Sequence, residues 1–391
     1  MPQRMLVACF ACVMAAMPPA DAGAAASNDD WVDTQVMFKE NITLYVGKQR
    51  LPWTDQPMPV TVEQVQDDWL WVGYAWVLKS QVLTLEDAPA YYTKWLERAP
   101  DHAVDAYSLR GISWLAQGEY TSAERDFDDA LRLAPRNSGL YVCRGKARYS
   151  LNNYDAAIRD FTEAIRLDPS NLVAYNDRGG AWNSKGEFER SRQDHDYVLR
   201  VDPNNATAYN NRGKNWLDCN EYQKALDDYN HSIRLDPKYV GTYANRGMLH
   251  AKLGDYPAAI ADFEKAMKLG PREWPSYYGW ARLLATSPWP QLRDGPRAKQ
   301  FAQRACELSR WNEWRTVATL AAANAELGDY ETAIKLQNKA IAMSQPANDV
   351  DQRANEKRLA CYKAGKPFVD EELPSPSPAD DAGDSTGTSE K

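Results

Sequence analysis

Gly111, Gly145, Gly179, Gly213 and Gly247 stand 34 residues apart, and other residues keep the same step in other phases. Tyr107, Tyr141, Tyr175, Tyr209, Tyr243 and Tyr277 form one series; Pro135, Pro169, Pro203, Pro237 and Pro271 form another. Ala123, Ala157, Ala225 and Ala259 hold a further phase, with Ser191 in the gap. A period held in so many phases marks copies of one supersecondary unit, each leaving an apolar face open until a neighbour stacks on it. The 391-residue chain is therefore first an array, and its other segments are read around that array.

Within residues 104–137, Tyr107, Trp114 and Leu115 fall on one helical face. Gly118 then supplies a residue able to take the left-handed conformation that ends helices. Asn152 and Asn220, the next most tolerant type, replace it in two copies. Ala123, Phe127, Ala130 and Leu133 make a second helical face, which Pro135 stops. Gly at the eighth position and Ala at the twentieth and twenty-seventh allow close approach of the two helices. Aromatic residues at positions 4, 17 and 24 fill the remaining space.

This pattern resembles the tetratricopeptide repeat, and the run AYNNRG…EYQKALDDYNHSIRLDP is similar to bacterial members. The resemblance implies a mostly α fold, a tetratricopeptide-repeat α-solenoid of seven repeats: 104–137, 138–171, 172–205, 206–239, 240–273, 274–312 and 314–347. The sixth is longer by an insert at 287–295 (SPWPQLRDG), where Pro288 and Pro290 oppose helix. A terminal capping helix is expected over 348–366, and 367–391 reads as a disordered acidic tail with little to bury.

Residues 27–86 have a different period. Ile42, Leu44 and Val46 alternate with polar residues, as do Val60 and Val62, and 69–72 and 76–77 read as two closely connected strands. The string DWLWVGYAWVLKSQV resembles Src-homology-3-like domains of bacterial envelope proteins, with Ala75 where that family carries Gly. A small all-β barrel is expected there, followed by a linker and capping helix at 87–103. The first 26 residues resemble an export signal: Arg4, an apolar run at 5–17, a break at Pro18 and Pro19, and small residues at Ala20 and Ala22. The run is shorter than the roughly 20 residues a bilayer span needs, and no integral membrane segment is expected after signal removal.

The net charge of −8 is uneven, because 367–391 carries −6 and the rest −2. That balance excludes a basic nucleic-acid footprint. Cys143, Cys219, Cys306 and Cys361 are widely spaced and read as small buried residues rather than a zinc site. The four histidines form no metalloprotease motif, and His195, though flanked by two aspartates, holds the position of Phe127, Phe161, Tyr229 and Phe263. No cofactor or metal is implied, and the chain reads as non-enzymatic. Arg110, Arg144, Arg178, Arg212 and Arg246 recur at position 7 against Asp126, Asp160, Asp194, Asp228 and Asp262 at position 23, which points to internal ion pairs.

The resemblance places binding on the inner face, at positions 2, 5, 6, 9, 12 and 13 of each first helix. Here those positions include Lys146, Asn176, Asp177, Asn210, Asn211, Lys214 and Asn245, with Ser150 nearby. A row of side-chain amides can pair with a peptide backbone whatever its sequence. Trp289 between two prolines, with Arg293 close by, is a second candidate, an interface loop. The expected function is an exported, periplasmic or extracellular scaffold that binds a protein or peptide partner. A contact of the barrel with cell-wall glycopeptide, in wall binding or assembly, is the alternative.

Overall fold

The computed structural model describes residues 31–32, 34–39, 44–46, 49–51, 59–344, 349–371 and 373. The expected signal at 1–26 and residues 374–391 of the tail lie outside them. The chain divides into two compact units, Met1–Ala147 and Arg148–Lys391, and the division falls inside the second repeat.

In the first unit the described strands are β1 (Gln35–Phe38), β2 (Leu44–Val46), β3 (Gln49–Leu51), β4 (Val60–Thr61), β5 (Gln64–Gln66), β6 (Trp69–Trp71), β7 (Trp76–Leu78) and β8 (Val82–Thr84). They form two antiparallel sheets, ordered β4-β1-β8 and β3-β2-β7-β6-β5. Successive side chains on a strand face opposite ways, and the tryptophan-rich segment uses both faces. Leu70, Val72 and Val77 join Val36, Phe38 and Leu44 in one apolar core. Trp69, Trp71 and Trp76 gather with Tyr45 in a second cluster, with Trp71 and Trp76 ring centroids 5.5 Å apart. Met37 and Leu83 meet Tyr92 and Trp95 of α1 (Ala88–Arg98), which also packs on Ala106 of the first repeat. The expected capping helix therefore lies between the sheets and α2 (Ala103–Gln117), with α3 (Tyr120–Leu133) and α4 (Ser138–Ser150) following.

The second unit continues with α5 (Tyr154–Leu167), α6 (Leu172–Ser184), α7 (Phe188–Val201), α8 (Ala206–Asp218), α9 (Tyr222–Leu235), α10 (Val240–Lys252), α11 (Tyr256–Leu269), α12 (Trp274–Thr286), α13 (Gly295–Leu308), α14 (Trp314–Glu326), α15 (Tyr330–Met343) and α16 (Asp349–Lys363). Helices pair as the 34-residue registry requires. Gly186, Gly254 and Gly328 take φ near +80°, and Asn220 takes +61° at the equivalent corner. Where Gly213 stands, an added Cβ would lie 2.8 Å from the Tyr229 ring, so the missing side chain seats the aromatic residue of the partner helix. His195 occupies the same seat against Gly179.

The recurring arginines lock these pairs. Arg212 Nε and Nη2 donate to both oxygens of Asp228 at 2.8 Å, and its Nη1 donates to Asp196 of the preceding repeat at 2.7 Å. Arg178 forks Asp194 and reaches Thr162, while Arg246 forks Asp262 and reaches Asn230. In the first unit Arg110 forks Asp126 and reaches Thr93. Each guanidinium also covers its position-4 tyrosine at 5.3–5.8 Å, a cation–π contact. Several of these tyrosines donate their hydroxyl to a preceding proline carbonyl, as Tyr243 does to Pro237 at 3.2 Å. The internal pairing expected from the two rows is found at Arg110, Arg178, Arg212 and Arg246, whereas Arg144 pairs with Asp128 and Asp160 with Arg148.

Two expectations need correction. The insert is not wholly irregular: residues Pro290–Leu292 make one 3-10 turn, since proline is tolerated at a first helical position. The tail does not begin as a disordered segment at 367, because Phe368 and Asp370 are buried at 9% and 6% exposure. Two anchoring side chains in an otherwise polar stretch suffice to hold it.

Gly180, unlike Gly213, has open space where a Cβ would stand. Gly180→Ala should therefore stabilise the protein by up to about 1 kcal/mol through helix propensity. Gly213→Ala should destabilise it by about 1–3 kcal/mol through overpacking against Tyr229. Denaturant unfolding of the two variants checks the contrast in sign.

Candidate functional site

Once the glycine seats and arginine forks are assigned, the polar residues left on the first helices define the candidate site. In the second unit Asn245 Nδ2 donates to Asn210 Oδ1 at 2.9 Å, and Asn210 Nδ2 donates to Asn211 Oδ1 at 3.2 Å. Asn245, Asn210 and Asn211 are thus linked across α8 and α10. Asn210 is buried, whereas Asn211 and Asn245 are half-buried and Lys214 is exposed one turn beyond Asn210.

The other candidates are placed differently. Asn176 is buried and turned inward, its Oδ1 3.3 Å from His195 Nδ1. Oxygen accepts, so the imidazole donates from Nδ1. Asp177 is half-buried on α6. Lys146 is exposed and belongs to the first unit, and Ser150 is half-buried in the second. Trp289 packs against the core cluster containing Tyr256 and Trp280, and its side chain hydrogen-bonds Tyr256. Arg293 pairs with Glu326 at 3.3 Å. The insert is thus held against its own unit.

Registry at position 5 placed Asn176 and Asn210 on the inner face, but a helix face has flanks. These two point toward the neighbouring helix, where a buried amide needs a partner. Further polar contacts went unread. Asn215 Nδ2 donates to Asn183 Oδ1 at 2.8 Å, Asn183 Nδ2 donates to Asp218 Oδ2 at 2.6 Å, and Arg192 reaches Asn215 Oδ1 at 3.2 Å. Arg282 and Thr286, at positions 9 and 13 of the sixth repeat, were also missed; following the same registry past Asn245 would have found them. Arg282 Nη2 meets Asp370 Oδ2 at 2.7 Å beside a cavity of about 280 Å³, whose lining includes Leu217, Met248, Lys252 and Leu283.

Among the described residues, no group of three or more His, Cys, Asp or Glu could hold a metal ion. Nor is any helix there long and apolar enough to cross a membrane. Burial pushes the His195 imidazole down to about 4, so it is neutral near pH 7. The Asp228 fork and the Asp196 contact raise the pKa of Arg212 against the effect of its burial.

Family models of the tetratricopeptide repeat match residues 104–137, 140–171, 206–239 and 241–273. The chain thus carries tetratricopeptide repeats, and no catalytic family is indicated. Residues 172–205 build the same hairpin with histidine in the aromatic seat. Among solved structures, the APC/C hetero-tetramer Cut9-Hcn1 is 20% identical with a TM-score of 0.51, covering 70% of this chain and 52% of that one. Yeast Tom70 is 16% identical with a TM-score of 0.51, covering 72% and 59%. A tetratricopeptide repeat protein from Parabacteroides merdae is 18% identical with a TM-score of 0.43, covering 66% and 98%. The first two likenesses show the fold alone, and the chain spans little more than half the length of those two proteins. A comparison with curated proteins gave no match.

Protonating His195 costs more in the folded than in the unfolded chain, since its pKa falls from 6.5 to about 4 on folding. The unfolded chain binds more protons between those values, so stability falls as pH drops through that window. His195→Phe, which restores the aromatic of neighbouring repeats, should gain about 2 kcal/mol on wild type between pH 8 and pH 5. Unfolding at the two pH values measures it.

Proposed function

We propose that the protein is a non-enzymatic interaction scaffold of the cell envelope that binds extended peptide or protein segments on the inner, first-helix face of its repeats. Proteins with these repeats generally mediate protein–protein interactions. The observation that carries the reading is the Asn245–Asn210–Asn211 row with Lys214 beside it. Within it the half-buried Asn211 and Asn245, tied together through the buried Asn210, keep donor and acceptor capacity beyond those bonds, next to a cation that can attract a carboxylate. The arginines are committed to structural forks, so this row, rather than a guanidinium ladder, offers the polar contacts. The apolar run at 5–17 behind Arg4 supports export to the periplasm or beyond. The paired sheets of the first unit are read as a Src-homology-3-like barrel that makes a second contact with the same partner, which would raise avidity.

Photo-cross-linking of the full chain in its own envelope tests this reading. Asn211→Ala with Lys214→Ala should reduce the cross-linked partner about tenfold, a loss of about 1.4 kcal/mol, with melting unchanged. Undiminished cross-linking by that variant would place the binding surface elsewhere.

A further inference from the structure

After α16 the chain turns back. Gly365 takes φ +66°, its N–H bonds the Tyr362 carbonyl at 3.0 Å, and the Lys366 N–H bonds Cys361 at 3.1 Å, closing the helix end. The following segment lies on its own unit. Phe368 enters the core cluster that holds Trp280, Leu283, Leu284 and Tyr362, with the Arg358 guanidinium 5.2 Å from its ring. The Asp370 N–H donates to the Thr286 carbonyl at 2.7 Å, and its carboxylate takes Arg282 Nη2 at 2.7 Å. Leu373 packs against the same cluster and lines the cavity.

Each of these contacts is of the kind a bound peptide makes. The Thr286 carbonyl ends α12, where helical carbonyls lack intrahelical partners. Arg282 and Thr286 occupy the same two registry positions as Lys214 and Asp218 on α8, and as Met248 and Lys252 on α10. The segment therefore covers the continuation of the inner face that carries the amide row. The cavity beside Asp370 stays open, with an apolar lining of Leu217, Met248 and Leu283 and with Lys252 among its walls. A volume of about 280 Å³ leaves room for a side chain that this segment does not supply.

We propose that the inner face around Arg282 is a docking site for extended segments of the pattern aromatic-x-acidic-x-x-leucine, and that residues 367–373 (PFVDEEL) hold it in cis until a partner of that chemistry displaces them. The inference rests on the reading of the inner face as peptide-binding and names both its ligand class and its regulation. A short tether gives the internal segment an effective concentration in the millimolar range. A competing partner must therefore add contacts, and the open cavity and the amide row are where it adds them.

The test uses a fluorescent peptide of residues 366–374 (KPFVDEELP) and anisotropy titration of the full chain, of Asp370→Asn, and of a chain ending at Lys366. Asp370→Asn keeps side-chain size and the backbone hydrogen bond, so it carries the test if the shortened chain melts early. Both released proteins should bind the peptide at least tenfold more tightly than wild type, and Arg282→Ala added to Asp370→Asn should remove that gain. Equal affinity for wild type and released chains, no binding to any of them, or binding that survives Arg282→Ala would each overturn the proposal. Loss of envelope cross-linking in the Asn211/Lys214 variant alongside any of those results sinks the tail proposal alone. Peptide binding as expected, with cross-linking undiminished in that variant, sinks the broader reading instead.

Discussion

The forked arginine at position 7 is the contact on which the array depends. One guanidinium satisfies a nearly buried aspartate in its own repeat through two parallel bonds, reaches the preceding repeat with its third nitrogen, and lies over a tyrosine one turn earlier. Arg212 does this with Asp228, Asp196 and Tyr209. A planar group with donors in a rigid fork can serve three partners at once, which an ammonium cannot. Because the aspartate is buried, removing the arginine would leave an uncompensated charge, and that asymmetry makes the pair a strong determinant of register.

The fork has a consequence for function. With the arginines consumed, the inner face of the second unit is left with amides, the carboxylates Asp177 and Asp218, and Lys214, Lys252 and Arg282. Such a surface has few fixed charges and many paired donors and acceptors, and it suits recognition of main chain and scattered carboxylates better than recognition of a polyanion. The chain's 21 Tyr and 14 Trp against 8 Phe have an architectural origin as well. Position-4 tyrosines sit beneath the forks, and Trp69, Trp71 and Trp76 gather on one face of the five-stranded sheet.

Much of this was legible in the residues. The glycine and asparagine corners, the aromatic seats and the Arg–Asp rows follow from registry, because each repeats the same local physics in most copies. What escaped reading occurs once. Phe368 and Asp370 sit in a stretch whose average composition is that of a disordered tail, and composition cannot report two anchors whose pockets come from α12 and α16. Trp289 between its prolines reads as an interface residue, yet the bond to Tyr256 and the packing near Trp280 arise from contacts more than thirty residues or a helix away. Asn176 and Asn210 share a registry position with groove residues of related repeats, but here they turn inward to His195 and Asn245, a choice made by their neighbours rather than by their own position.

A double-mutant cycle on Arg212 and Asp228, read by denaturant unfolding, tests most directly whether the forks hold the array. Each single alanine variant should lower stability by about 3 kcal/mol. The two losses should fall short of additivity by about 1–3 kcal/mol. Additive losses, or an Arg212→Ala protein that unfolds like wild type while losing its partner, would contradict the structural role and return the arginine row to the binding surface.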